Sequence, residues 1–186
     1  DFEAKTAKRR AYELAGLPPP RPLITAFTIS IGAPDDMAKA ASAASQRPLL
    51  KIKLGNTGDP ARIAAVRAAA PHAELIVDAN EGWTAQNLAE NLKVCAQAGV
   101  TLVEQPLPQH DDGILGELPR PLPVCADESA HDRKSLAALV GKYDAVNIKL
   151  DKSGGLTEAL AMAREAERLG FAVMVGCMVA TSLSMA

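Results

Sequence analysis

One regularity limits the folds open to this chain more than any other. Short apolar runs with β-branched residues recur near 24–31, 49–54, 74–79, 101–105, 123–127, 145–150 and 172–177. Stretches with helical spacing separate them, at 35–46, 59–70, 84–98, 112–117, 133–141 and 155–169. Antiparallel strands can be joined by two-residue turns, whereas parallel neighbours need a crossover of helical length, so this alternation predicts βα units and a parallel sheet. Gly32, Gly55, Gly99 and Gly170 punctuate the joins, and Asp35 and Asp59-Pro60 read as helix-start signals. No glycine-rich dinucleotide fingerprint accompanies the first βα turn. The expected fold class is therefore α/β, a (β/α)8 TIM-type barrel, here lacking its eighth strand. A doubly wound open sheet is the alternative that periodicity leaves open.

Ahead of the alternation, residues 1–16 read as a helix ending at Gly16, followed by the stiff Pro18-Pro19-Pro20 linker. This divides the chain into a lead-in at 1–20 and a barrel domain at 21–186. The opening Asp1-Phe2-Glu3 reads as mid-helix and the final Ser182-Leu183-Ser184 as the start of one, so a segment of a longer protein is expected. The length of 186 residues fits one domain, and 48% apolar with only 3% aromatic residues means an aliphatic core. A net charge of -2 without basic or acidic tails gives no reason to invoke nucleic acid or a membrane surface. The apolar run AVMVGCMVA is too short to span a bilayer, and no signal-peptide pattern opens the chain. Cys95, Cys125 and Cys177 have no metal-type spacing; an odd count without an export signal is expected for free thiols in a reducing cytoplasm.

In a (β/α)8 barrel the chemistry sits at the C-terminal ends of the strands. In LLKIKLGN, Leu49 to Asn56, Lys51 and Lys53 share one face of an apolar strand. LIVDAN ends with Asp78 and Asn80, TLVEQP with Glu104, and PVCADES with Asp127 and Glu128 beside it; AVNIK ends with Asn147 and Lys149. One acid at a strand-to-helix turn is most often a cap. Three acids aligned on successive strands are a metal-site pattern, and their hard oxygens suit Mg²⁺. His72, His110 and His131 fall in helices or loops, so nothing favours zinc. In an eight-stranded ring, strands 2 and 6 lie opposite each other, which puts Lys53 and Lys149 on either side of a substrate. The like charge of Lys51, desolvation and a nearby cation would lower the pKa of Lys53 toward that of a base. The bland alternative is a snorkelling lysine pair. Cys177 has no histidine partner and reads as pocket lining or packing. Gly154-Gly155 reads as a tight turn rather than a phosphate loop, Trp83 as packing after strand 3, and Lys39, Arg47 and the Arg-rich run at 8–10 as solvated surface.

KIK, VDAN, VEQP, ADES and NIKLDKSGGL, in this order, resemble the barrel domain of the enolase superfamily, and more narrowly its muconate-lactonising subgroup. Within that subgroup, DANEGW, VEQPLPQHDD, VCADESAH, VNIKLDKSGGLTEALA and VGCMVATS are similar to the L-Ala-D/L-Glu epimerases from about Thr25 onward. The resemblance implies an isomerase in which Asp78, Glu104 and Asp127 bind Mg²⁺ and Lys53 and Lys149 are the two acid/bases. Lys51 would lean on the substrate carboxylate and tune Lys53. Thr28, Cys177, Met178 and Val179 would line the dipeptide site, with Asn80 and Glu128 supporting the first ring of residues. The implied reaction removes the α-proton through an enediolate and returns one to the other face, inverting the C-terminal glutamate. The family's N-terminal capping domain and its eighth strand with an Asp-x-Asp motif are absent from the sequence. The expected partner is a small dipeptide carboxylate, with homo-oligomerisation through open strand edges as a further expectation. The same residues also fit muconate cycloisomerisation, o-succinylbenzoate formation and N-acylamino acid racemisation. Outside the superfamily stand a Schiff-base aldolase using Lys53 or Lys149, and a non-catalytic barrel fragment.

Overall fold

The computed structural model describes residues 2–55 and 57–181. Two short helices, α1 (Phe2–Thr6) and α2 (Ala11–Leu14), come first. They are followed by β1 (Phe27–Ile29), α3 (Pro34–Ala43), β2 (Leu49–Lys53), α4 (Asp59–Ala69), β3 (Glu74–Asp78), α5 (Ala85–Gln97) and β4 (Val100–Glu104). A 3-10 turn at Gly113–Gly116 leads to β5 (Val124–Ala126), α6 (Arg133–Leu136), β6 (Ala145–Lys149), α7 (Leu150–Ser153), α8 (Leu156–Arg168) and β7 (Ala172–Gly176). The strands form one sheet in the order β1-β2-β3-β4-β5-β6-β7, every pair parallel. Sequential order with parallel pairing is the topology of a barrel wall; the sheet curls into an incomplete barrel rather than winding in two directions from a central strand.

Pattern and burial agree along the elements. In β2, Leu50 and Ile52 are fully buried while Leu49, Lys51 and Lys53 are half-buried, the two-residue period of a strand with different neighbours on its two faces. In β3, Leu75, Ile76, Val77 and Asp78 are all buried, as expected of a parallel strand covered on both faces. On α5, Leu88, Leu92 and Cys95 form the i, i+4, i+7 stripe that packs on the sheet. Thr84 and Asn87 close its N-terminus as a capping box. On α8 the inward residues are Ala159, Met162 and Ala166. The core joining these faces is almost wholly aliphatic, with Trp83 its largest member.

Several boundaries differ from the sequence expectation. The lead-in is not one helix: Lys8 has a left-handed φ of 53° and breaks it in two. The first strand pairs only over Phe27–Ile29, shorter than the apolar run at 24–31. The stretch 112–117 is a single 3-10 turn, and 133–141 is one helical turn followed by a 3-10 turn at Ala137–Leu139. Both are too short, and too close to Gly113, Gly116 and Gly141, to propagate. The turn of helix in α7 has no counterpart in the sequence expectation; Gly154, left-handed at φ 82°, ends it and Gly155 caps α8. The helix start read at the chain's end falls on residues 182–186, outside the described residues. Among those described, no helix is long and apolar enough to cross a membrane.

Candidate active site

Parallel pairing sets the site's first row. The register aligns Lys53 with Asp78, Asp78 with Glu104, and Glu104 with Cys125, so residues at the ends of β2, β3 and β4 stand side by side. Asp127 follows two residues beyond Cys125, on the same side of its strand. Asp78, Glu104 and Asp127 are all buried, and one carboxylate oxygen from each lies within 4.8 Å of the others.

Lysines surround these acids. Lys51 Nζ lies 2.8 Å from Asp78 Oδ2 and 2.6 Å from Glu104 Oε2. Lys53 Nζ donates to Asp78 Oδ2 at 2.7 Å and to Asn80 Oδ1 at 2.8 Å. Asn80 Nδ2 in turn donates to Glu128 Oε1 at 3.2 Å. On the other flank, Lys149 Nζ donates to Asp127 Oδ2. Lys152 Nζ donates to Asp127 Oδ1 at 2.6 Å, to the Asp127 carbonyl, and to the Asn147 carbonyl at 3.0 Å. Lys53 thus meets the acids from the β3 side and Lys149 from the β5 side.

The electrostatics follow from burial and these partners. Burial alone favours a neutral amine at Lys51, but the neighbouring Glu104 and Asp78 carboxylates outweigh it and hold its pKa well above the ordinary value. At Lys149 burial is likewise outweighed by Asp127, and the pKa is raised. Burial, then the charge of Asp78, pushes the Glu104 carboxyl up to about 6 despite Lys51 and Asn147. For Asp127, burial pulls upward but Lys149 and Lys152 win, and its pKa is lowered. Burial and Asp127 raise the pKa of Glu128.

The donor set fits a hard divalent cation. It offers three carboxylates and neither thiol nor imidazole, which disfavours zinc and softer metals. Glu104 Oε2 is buried without a hydrogen-bond partner, its near neighbour being the Lys51 ammonium 2.6 Å away in an ion pair. Its other oxygen accepts from Asn147 Nδ2 at 2.8 Å, so the amide orients the carboxylate. Gly176 on β7 makes room for that amide, since a Cβ there would stand 2.6 Å from Asn147 Oδ1.

Above the acids opens a cavity of about 650 Å³. Lys51, Lys53 and Lys149 form its floor with Asp127, so the two β2 lysines stand between the cavity and Asp78 and Glu104. Asn80 and Glu128 border it on one side. Thr28 from β1 and Cys177, Met178 and Val179 after β7 line the other. Thr28, Lys51, Lys53, Asn80, Asp127, Glu128, Lys149, Cys177, Met178 and Val179 thus share one cavity, and Asp78 and Glu104 lie within reach of its lysines. Lys51, however, sits among carboxylates, not merely beside a like charge. Three contributors carry no role in the sequence reading: Gln105, Asn147 and Lys152. The Lys149-to-Lys152 spacing within NIKLDKSGGL is a readable signal; nothing in the sequence marks Gln105 as buried. His131 also reaches the cavity and bonds Gln109 across the rim, whereas His110 is exposed and away from it. Trp83 is buried, its indole donating to Asp59 Oδ2 at 2.8 Å.

Fold and site together define a parallel βα-barrel domain with three strand-end carboxylates enclosed by lysines. The chain belongs to the enolase C-terminal domain-like family, which it matches over residues 35–186. It is 50% identical to the L-Ala-D/L-Glu epimerase of Escherichia coli over 98% of this chain and 57% of that protein. It is 44% identical to an N-acetyl-D-glutamate racemase of Pseudoalteromonas, over 100% of this chain and 59% of the other. The crystal structure of an enolase family member from Agrobacterium tumefaciens, with homology to dipeptide epimerases and bound sodium and L-Ala-L-Glu, superposes with a TM-score of 0.96 at 54% identity, covering 100% of this chain and 57% of that one. A dipeptide epimerase from Cytophaga hutchinsonii complexed with Mg and D-Ala-L-Val gives 0.84 at 30% identity, covering 90% and 48%. The chain thus spans somewhat over half the length of the curated relatives it matches.

Proposed function

We propose that this chain is the barrel part of a Mg²⁺-dependent epimerase acting on dipeptides of the L-Ala-D/L-Glu type. The observation that carries this reading is the buried Asp78–Glu104–Asp127 cluster flanked by Lys53 on one side and Lys149 on the other. Two of the relatives, named for a dipeptide epimerase and an N-acetyl-D-glutamate racemase, support it, since each of those substrates carries a carboxylate beside a stereocentre.

Asp78, Glu104 and Asp127 would hold the cation, which when bound supplies positive charge to a substrate carboxylate and so acidifies the α-carbon. Lys51, lying over Asp78 and Glu104, adds a second positive charge where the carboxylate would rest. One of Lys53 and Lys149 takes the α-proton as the neutral amine, and the other delivers a proton to the opposite face as the ammonium. Reversal of the roles accounts for action on both epimers. Asn80 holds Lys53 in place, and Glu128 holds Asn80. Thr28, Cys177, Met178 and Val179 form the wall against which the rest of the dipeptide packs. A soluble cytoplasmic setting, residues 1–20 as lead-in to a barrel domain at 21–186, and homo-oligomerisation belong to the same proposal.

The test is incorporation of solvent deuterium. In D₂O with Mg²⁺, L-Ala-L-Glu should gain label at the glutamate α-carbon, and EDTA should abolish the exchange. Racemisation of an N-acylamino acid is the second reading, favoured by the 44% identity to the Pseudoalteromonas racemase. Label on N-acetylglutamate but not on the dipeptide would select it. EDTA-insensitive trapping of a carbonyl substrate by borohydride would select the aldolase and refute both.

A further inference from the structure

Gln105, directly after Glu104, is fully buried and adopts a left-handed φ of 33°, which is costly for a residue with a side chain. That turn tucks its amide inward across the strand ends. Oε1 accepts the backbone N–H groups of Asp127 at 2.9 Å and Ser129 at 3.1 Å. Nε2 faces the Leu107 carbonyl at 2.8 Å, Ser129 Oγ at 2.9 Å and Tyr143 Oη at 3.0 Å. The amide has only one way round, because backbone N–H groups can only donate and the Leu107 carbonyl can only accept. The hydroxyls conform: Ser129 Oγ and Tyr143 Oη both donate to Asp112 Oδ2, at 2.9 and 2.8 Å, which leaves their lone pairs for Gln105. Lys142 neutralises Asp112 from its other oxygen. The backbone of Gln105 extends the link, donating to the Cys125 carbonyl at 2.8 Å and accepting from Glu81 N–H at 2.9 Å.

One residue therefore ties the end of β4 to the segments carrying Asp127 on one side and following Asp78 on the other. Nothing in it touches the cavity. From this juxtaposition we infer that Gln105 is a positioning residue that sets the spacing of the three carboxylates, with the buried Asp112–Ser129–Tyr143 network fixing its direction. The inference rests on the reading of Asp78, Glu104 and Asp127 as a cation site.

Direct binding of Mn²⁺, followed in the full chain by the electron paramagnetic resonance of the free ion, provides the test. Gln105→Met keeps the side chain's length and removes both ends of the clasp. Its Mn²⁺ affinity should fall about 10–100-fold, the usual effect of losing a partner that orients metal ligands. Amide exchange at Asp127 in the metal-free protein should accelerate, while that at Ile52 in β2 stays unchanged. Gln105→Glu retains an acceptor for the Asp127 N–H and should fall between the two; it also serves if Gln105→Met does not fold. Leu88→Ala, a core truncation on α5, controls for stability alone and should leave Mn²⁺ affinity as it was. Unchanged affinity in folded Gln105→Met, alongside weakened binding in Glu104→Gln, overturns the inference alone. Binding that is undetectable in the unmutated chain, or indifferent to Glu104→Gln, overturns the cation reading and the inference with it.

Discussion

A lysine next to a lysine and a lysine next to two carboxylates are pushed in opposite directions, and Lys51 is the second kind. The alternation of a strand puts Lys51 and Lys53 on one face, but it does not reveal that Asp78 and Glu104 reach the first ammonium within 2.8 and 2.6 Å. Lys51 is thus fitted to remain charged and to meet an anion. Glu104 bears the complementary perturbation. Its carboxyl, raised to about 6, must be ionised to hold a cation, so affinity should decline as pH falls through that value. Mn²⁺ titrations at pH 7 and pH 5 should differ by about tenfold from this group alone. A second prediction concerns Gly176. In Gly176→Ala the new Cβ would collide with the Asn147 amide and turn it from Glu104. Mn²⁺ affinity should drop about 10–100-fold. Unaltered binding would remove Asn147 from the account.

At the scale of elements, the strands are legible because a period of two and a helix-length gap leave few alternatives. The same period sends Lys51, Lys53, Asp78, Glu104 and Lys149 to a common side, which is why so much of the site is legible in the sequence. Where sequence and structure part, the cause is tertiary or conformational. Lys8 breaks a stretch whose composition is helical, through a backbone angle that sequence does not mark. Gln105 looks like an ordinary polar loop residue; its buried side chain finds its partners only in the turn after β5, at Asp127 and Ser129, in Tyr143 ahead of β6 and in the Leu107 carbonyl. The loops after β2 and β3 hold another such constraint. Asp59, expected as a helix-start signal, is fully buried and accepts from the Gly55 N–H at 3.0 Å as well as from Trp83. The two loops cross so closely that a Cβ on Gly82 would lie 2.2 Å from the Gly55 carbonyl oxygen. Backbone cannot yield as a side chain can. Gly82→Ala should cost about 1–3 kcal/mol or more in urea unfolding. Gly113→Ala, with nothing within 4 Å of the new methyl, should be close to neutral.

For the whole molecule, the sheet order gives the site its logic. Because β2 through β6 follow one another around the wall, the acids of β3, β4 and β5 necessarily fall between the lysines of β2 and β6. The lysine ammoniums and a cation would draw on the same three carboxylates, since Asp78 Oδ2 serves Lys51 and Lys53 and Asp127 Oδ2 serves Lys149. Mg²⁺ should still stabilise the fold by mass action, about 2.7 kcal/mol at a hundredfold excess over its Kd, and EDTA should reverse the rise in Tm. In the proposed reaction Lys53 and Lys149 would each serve one face of the same α-carbon. Removing one lysine should then separate the two directions of proton transfer. The most direct measurement follows α-proton exchange in D₂O for L-Ala-L-Glu and L-Ala-D-Glu separately, using Lys53→Ala and Lys149→Ala in the full-length protein. Each variant should lose inversion yet still wash deuterium into one epimer, and the two variants should favour opposite epimers. Exchange surviving on the same epimer in both, or on both epimers in either, would contradict the account.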